Sequence, residues 1–218
     1  MEIEKLLKDN REYSLDVLVG LKEKPWEYEP NYYKFWHKNL PCWIKRMARG
    51  GGQLNGYTGI PIVQKIMNTN IINTNGEFEY FDYKIHEDNE CIYDLFNQNI
   101  RVHGGLTYSN FKEGYLILGF DTGHDGDYCP YLDELIKNTS TYIPSIPPLK
   151  SLRRSKATYK TFRYVYENCT ALADQLYNLL GLNKIEKYYS RFYDELKLNY
   201  KYMDFGLFCR ESGEINIL

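Results

Sequence analysis

The sequence predicts an α+β fold: a small, mostly antiparallel sheet packed by N-terminal helices and a C-terminal helical hairpin. Three observations predict it. Apolar residues recur at helical spacing near both ends of the chain. The middle, about residues 56–121, holds short alternating or continuously apolar runs of strand length. Gly-, Asn- and Pro-rich stretches separate these runs as turns would.

The bulk numbers bound this reading. A chain of 218 residues with 43% hydrophobic and 26% charged residues can bury a core. The expected organisation is an α+β domain over residues 1–150 and a helical hairpin subdomain over 151–218. The net charge of −2 excludes broad electrostatic attraction to nucleic acid. The 5 Cys are odd in number, widely spaced and form no CxxC pair, which points to reduced thiols and a cytosolic setting. No apolar run reaches the roughly 20 residues that cross a bilayer, and Met1–Lys5 lacks the apolar core of a signal peptide. The 22 Tyr rise together with Asn, Ile and Lys, as coding bias alone produces.

Taken in order, residues 1–24 place Ile3, Leu6, Leu7, Leu15, Leu18 and Leu21 at helical spacing, so one or two short helices are expected before Pro25 and Pro30. An aromatic knot follows from Trp26 to Trp43 and contains all 3 Trp; burial statistics favour a core corner over a recognition surface. The glycines of residues 49–61 lead into a strand at 57–63. They read as shaping a loop rather than a phosphate cradle, because neither a P-loop Lys-Ser/Thr nor GxGxxG is present. Residues 68–76 read as an exposed loop, and Phe78, Tyr80 and Tyr83 as a strand. Two more strands are expected at 99–108 and 114–121, the second buried and central, with a turn near Asn110–Gly114. The basic stretch Lys150–Arg163 reads as a solvated approach to a helix at about 158–180, with Gly181 its C-cap and a partner helix at about 184–200.

The chemistry concentrates between His103 and Asp127. Two of the chain's 4 His lie here, with Asp121, Asp125 and Asp127 in a Gly-broken loop after an apolar strand. Neutral imidazole and ionised carboxylate are both available at pH 7 and suit Zn²⁺, or Mn²⁺ or Fe²⁺. His103, Asp121, His124 and Asp127 are the expected ligands, with Cys129 as a spare and Tyr108 or Tyr128 hydrogen-bonding around them. Calcium fits poorly: an EF-hand loop starting at Asp121 would put Gly123 and Leu132 where ligands belong.

These blocks carry a resemblance. The segments His103-Gly-Gly-Leu-Thr-Tyr-Ser109 and Gly119-Phe-Asp-x-x-His-x-Gly-Asp127 resemble a family of small phage- and prophage-encoded proteins. So do Gly52-Gln-Leu-Asn-Gly-Tyr-Thr-Gly-Ile-Pro61 and Leu172-Ala-Asp-Gln-Leu176, and the order of blocks agrees over about residues 50–180. Gln53 departs from the pattern, since many relatives carry His there. One branch is similar to type II-A anti-CRISPR proteins of streptococcal phages. That resemblance implies a non-enzymatic protein that binds a host Cas9 effector in the bacterial cytoplasm and blocks target DNA loading, with a structural zinc site and no direct nucleic-acid or membrane binding. The residues themselves leave a second class open, a metal-dependent hydrolase with Asp125 or Asp127 as base.

Overall fold

A computed structural model of the chain describes residues 3–48, 51–61, 69–72, 78–81, 96–112, 114–132 and 157–182. The fold is α+β. Helices α1 (Ile3–Lys8), α2 (Leu15–Gly20) and α3 (Pro25–Tyr28) come first, interrupted by strand β1 (Tyr13–Ser14). Strands β2 (Tyr32–His37), β3 (Leu40–Arg46) and β4 (Leu54–Pro61) follow, then β5 (Thr69–Ile72) and β6 (Phe78–Phe81), and then β7 (Tyr108–Lys112) and β8 (Tyr115–Phe120). Strand β9 (Thr158–Tyr159) precedes the long helix α4 (Phe162–Leu179). The main sheet has five strands in the order β2-β3-β4-β8-β7. Every position of β4 and of β8 is buried, as the apolar run at 115–120 predicts for an interior strand.

Several elements differ from the sequence reading. Pro25 starts a helical turn rather than ending one, because it sits at the first position, where its missing N–H costs nothing. The aromatic knot contains a β-hairpin: β2 and β3 are joined by Lys38 and Asn39, both at positive φ (47° and 60°), as a tight two-residue hairpin loop requires. Residues 69–72, expected as loop, form β5 and pair antiparallel with β6. The strand expected at 99–108 begins only at Tyr108, because Gly104 and Gly105 take φ of 66° and 86° and break extended backbone. β7 and β8 do pair antiparallel, from Tyr108 opposite Gly119 to Lys112 opposite Tyr115. The partner helix expected at 184–200 and the boundary at 150/151 lie outside the described residues.

The residues group into two compact units, one drawn from 1–33, 44–56 and 121–167, the other from 34–43, 57–120 and 168–218. In the first, Tyr13, Leu18 and Tyr159 form a buried cluster against which Leu21, Trp26 and Tyr128 pack. β1 and β9 pair antiparallel and set Tyr13 opposite Tyr159. Beside them lies a buried polar network. The Arg46 guanidinium donates to Glu29 Oε2 at 2.9 Å, to the Tyr159 hydroxyl at 2.9 Å, to the Gly52 carbonyl at 2.9 Å and to Asn31 Oδ1 at 2.9 Å. Tyr159 donates to Glu29 Oε2, and the Phe162 N–H donates to Glu29 Oε1 at 2.8 Å. Glu29 therefore neutralises Arg46 and satisfies an amide that opens α4, a group helix geometry leaves without a partner.

In the second unit, the α4 residues Cys169, Leu172, Ala173 and Leu176 are fully buried, and the Cys169 thiol donates to the Trp43 carbonyl at 3.5 Å. Gly59 permits this density: a Cβ there would lie 3.0 Å from Pro41, 3.1 Å from Trp43 and 3.2 Å from Tyr115. Gly181 closes α4 at φ 61°, with its N–H donating to the Asn178 carbonyl at 3.1 Å. Among the described residues, no helix is long and apolar enough to cross a membrane.

Burial predicts an alkaline instability. It pushes the Cys42 thiol up to about 12 from the usual 9.0, and the Cys169 thiol well above that usual value. Burial, and then the Glu29 charge, raise the Tyr159 hydroxyl well above 10.0. Each group keeps its proton when folded and loses it more readily when unfolded. The stability it contributes is full below its unfolded pKa and is lost as pH rises toward the folded one. Melting temperature measured across alkaline pH is expected to fall steadily from about pH 9 upward. A flat profile to pH 11 would contradict the burial of these groups.

Candidate metal centre

The loop after β8 is built from its own turns. Asp121 Oδ1 accepts the Gly123 N–H at 2.9 Å, and the buried Thr122 hydroxyl donates to the Leu54 carbonyl at 2.8 Å. His124 and Asp127 close a second turn. The Asp127 N–H donates to the His124 carbonyl at 2.9 Å, and the His124 N–H donates to Asp127 Oδ2 at 3.1 Å. Gly126 takes φ 93° inside that turn, where no L side chain sits comfortably. β9 then fixes the loop: the Tyr128 N–H donates to the Thr158 carbonyl at 2.9 Å and the Thr158 N–H to the Gly126 carbonyl at 3.0 Å.

His103 stands in a turn, not on a strand, with the Gly105 N–H donating to the Val102 carbonyl at 3.1 Å. The long helix holds this segment by its backbone. Asn168 Oδ1 accepts the His103 N–H at 3.1 Å. The Gln175 amide accepts the Arg101 N–H at 2.7 Å and donates to the Arg101 carbonyl at 2.9 Å. The Leu172–Leu176 pattern thus has a physical reason: its apolar members are buried while Gln175 grips the chain leading to His103. Asn97 grips Leu106 in the same way, at 2.7 and 3.1 Å.

One ligand atom from each of His103, His124 and Asp127 lies within 4.8 Å of the other two, so this group could hold a metal ion. All three are partly buried, and the Asp127 side chain is only 4% exposed. Asp121 stands to one side of the group. Its Oδ1 lies 3.6 Å from His124 Nδ1 and is held by its own turn to Gly123. On the other side, the Lys160 ammonium lies 3.5 Å from Asp127 Oδ1 and donates to Thr158 Oγ1 at 2.8 Å.

Comparison with protein-family models, curated proteins and solved structures returns no match.

Burial, followed by the charges of Asp127 and Asp121, pushes the Cys129 thiol up to about 11. Tyr108 packs edge-on against Tyr57 with centroids 5.3 Å apart, and Tyr128 lies against Trp26 at 5.5 Å. Of the basic stretch, Arg163 pairs with Glu167 at 2.7 Å along the helix and Lys160 faces Asp127; the residues before Ala157 lie outside the described residues. Lys160 has no signal in the local sequence, because only the β9 bridge brings it to the loop.

The Gly51-Gly52 pair is structural. Gly52 takes φ 84°, and a Cβ there would lie 2.6 Å from the Tyr131 ring, while the Tyr131 N–H donates to the Gly51 carbonyl at 2.7 Å. Gly52→Ala combines a disfavoured backbone with a clash. It is expected to cost about 2–4 kcal/mol in urea unfolding; a loss under about 0.5 kcal/mol would show that the ring moves freely aside.

Proposed function

We propose that the chain binds one divalent metal ion through His103, His124 and Asp127, with Zn²⁺ favoured over Mn²⁺ or Fe²⁺, and that the ion has a structural role. The convergence of three ligand atoms carries the reading. We further propose, from the resemblance over about residues 50–180, that the metal-stabilised protein inhibits a host Cas9 effector in the bacterial cytoplasm by docking on the protein and blocking target DNA loading. The chain's net charge of −2 favours docking on a protein lobe over mimicry of DNA charge. The test is a mobility shift of target DNA by a Cas9–guide complex with and without the purified chain. Undiminished DNA loading at saturating chain sinks the inhibitor reading and leaves the metal reading standing.

One observation favours a second reading, a metal-dependent hydrolase. Three protein ligands leave a position open on a four-coordinate ion, the arrangement of catalytic zinc. With Asp127 among the ligands, the exposed Asp125 in the same turn is the remaining base. If Asp125→Asn abolishes a metal-dependent hydrolysis while metal content and melting temperature hold, the hydrolase reading replaces the structural one.

Lys160 competes with a cation for Asp127. Its removal in Lys160→Ala relieves repulsion at a partly desolvated site worth about 1 kcal/mol. Zinc affinity in competition titrations is expected to rise roughly fivefold. Unchanged or weaker affinity would show that Lys160 does not oppose binding.

A further inference from the structure

The four cations around a cleft at the N-terminal helices have no part in the metal centre. The cleft has a volume of about 590 Å³ and is lined by α1, the segment after it, the α2–α3 connection and α3. Lys5, Lys8, Arg11 and Lys22 face it, against the acids Asp9 and Glu23, a net charge of +2 on a chain whose total is −2. Asp9 is already neutralised. Its two oxygens accept from the Arg11 Nε at 2.7 Å and from the Arg11 terminal nitrogen at 2.5 Å, and the Tyr13 hydroxyl donates to it at 3.0 Å. The Arg11 hydrogen bond, foremost, holds the Asp9 carboxyl down at about 2. Arg11 is tied to Asp9 by this fork, lies 5.2 Å over the Tyr13 ring and lines the cleft.

The lysines are different. Lys5, Lys8 and Lys22 form no ion pair among the described residues, although Glu4 stands at the i−4 position that suits Lys8. Lys5 and Lys8 are three residues apart on α1 and so carry like charge side by side, which weakens an isolated helix. Three lysines without an ion pair around a concavity, beside a guanidinium whose charge Asp9 already offsets, form an arrangement suited to an anion of at least two charges. The rest of the lining is apolar: buried Leu6 and half-buried Tyr28 offer a surface for a flat organic moiety.

We infer that this cleft is a binding site for a phosphorylated small molecule of nucleotide size, with its phosphates on Lys5, Lys8, Arg11 and Lys22 and its organic part against Tyr28. The volume falls within the roughly 300–1,000 Å³ of small-ligand sites. A nucleic-acid strand fits less well, since strand binding uses a continuous basic groove and stacked aromatics, whereas these cations surround one concavity of an acidic chain. The site shares no residue with the metal group and does not depend on the metal reading.

Calorimetric titration of the full chain with inorganic pyrophosphate, with ADP and with a single-stranded oligonucleotide tests it. Pyrophosphate and ADP are expected to bind saturably, ADP more tightly, with affinity falling as salt rises. Lys8→Gln with Lys22→Gln is expected to weaken both by more than about tenfold. Both lysines are exposed, so the fold should hold, and a matched melting temperature verifies it. Lys45→Gln, outside the cleft, controls for net charge and should leave binding unchanged. The inference is overturned if neither small ligand saturates, if the double variant binds as the parent does, if Lys45→Gln weakens binding equally, or if only the oligonucleotide binds.

Discussion

Glu29→Ala is expected to destabilise the protein by about 3–5 kcal/mol, the usual consequence of leaving a buried charge uncompensated. Two losses coincide at this residue. The Arg46 side chain is 2% exposed and its partner Glu29 3%, so the guanidinium left behind has no water to turn to. The Phe162 N–H at the start of α4 also loses its acceptor, which for a helix cap costs about 1 kcal/mol. Against a typical total stability of roughly 5–15 kcal/mol, the loss is large enough to leave a sizeable unfolded fraction at moderate temperature. Urea unfolding measures it. Glu29→Gln should cost less, because an amide still accepts from Phe162, yet it leaves Arg46 charged. The pair Glu29→Leu with Arg46→Met should recover much of the loss, since apolar residues of similar volume commonly replace buried ion pairs without penalty. If Glu29→Ala shifts stability by less than about 1 kcal/mol, the network is not what ties β3, β9 and α4 together.

The second large effect is expected from metal. Purified protein should carry close to one equivalent of zinc, and His124→Ala should lose it. Removal of a ligand costs more than the 10–100-fold typical of losing a group that merely orients one. Zinc at a hundredfold excess over its dissociation constant stabilises the folded state by about 2.7 kcal/mol. For a chain of 218 residues that is a rise of several degrees in melting temperature. Asp121→Ala separates the turn from the ligand group. Asp121 Oδ1 accepts the Gly123 N–H, so its removal should lower stability while zinc stoichiometry stays intact. Absence of stoichiometric metal from the parent protein, with no thermal response to added Zn²⁺, Mn²⁺ or Fe²⁺, would remove the metal centre altogether.

How much of this was legible in the sequence depends on how local the cause is. The 3.6-residue spacing of Phe162, Cys169, Ala173 and Leu176 predicts α4, since burying one face of a helix is a property of consecutive residues. The apolar run at 115–120 predicts β8 and its interior place for the same reason. Glycines mark the turns around His103 and Asp127 because positive φ is a demand on single residues. The Lys38-Asn39 hairpin escaped because Lys is a poor residue for positive φ and gives no warning of it.

Clustered His and Asp in Gly-broken text mark the centre, and the sequence by itself determines that such donors lie close along the chain. Which of them converge was decided only by tertiary structure. Asp121 Oδ1 accepts from Gly123 and lies 3.6 Å from His124 Nδ1, while a ligand atom of His103, 21 residues before His124, lies within 4.8 Å of those of His124 and Asp127. Lys160 reaches Asp127 and Tyr159 reaches Glu29 only because β9 pairs with β1 and bridges the loop. Side-chain spacing encodes what a residue's neighbours along the chain require, but a buried ion pair or a ligand set is formed by atoms whose separation in sequence carries no periodic signal. Their positions follow from packing the whole chain.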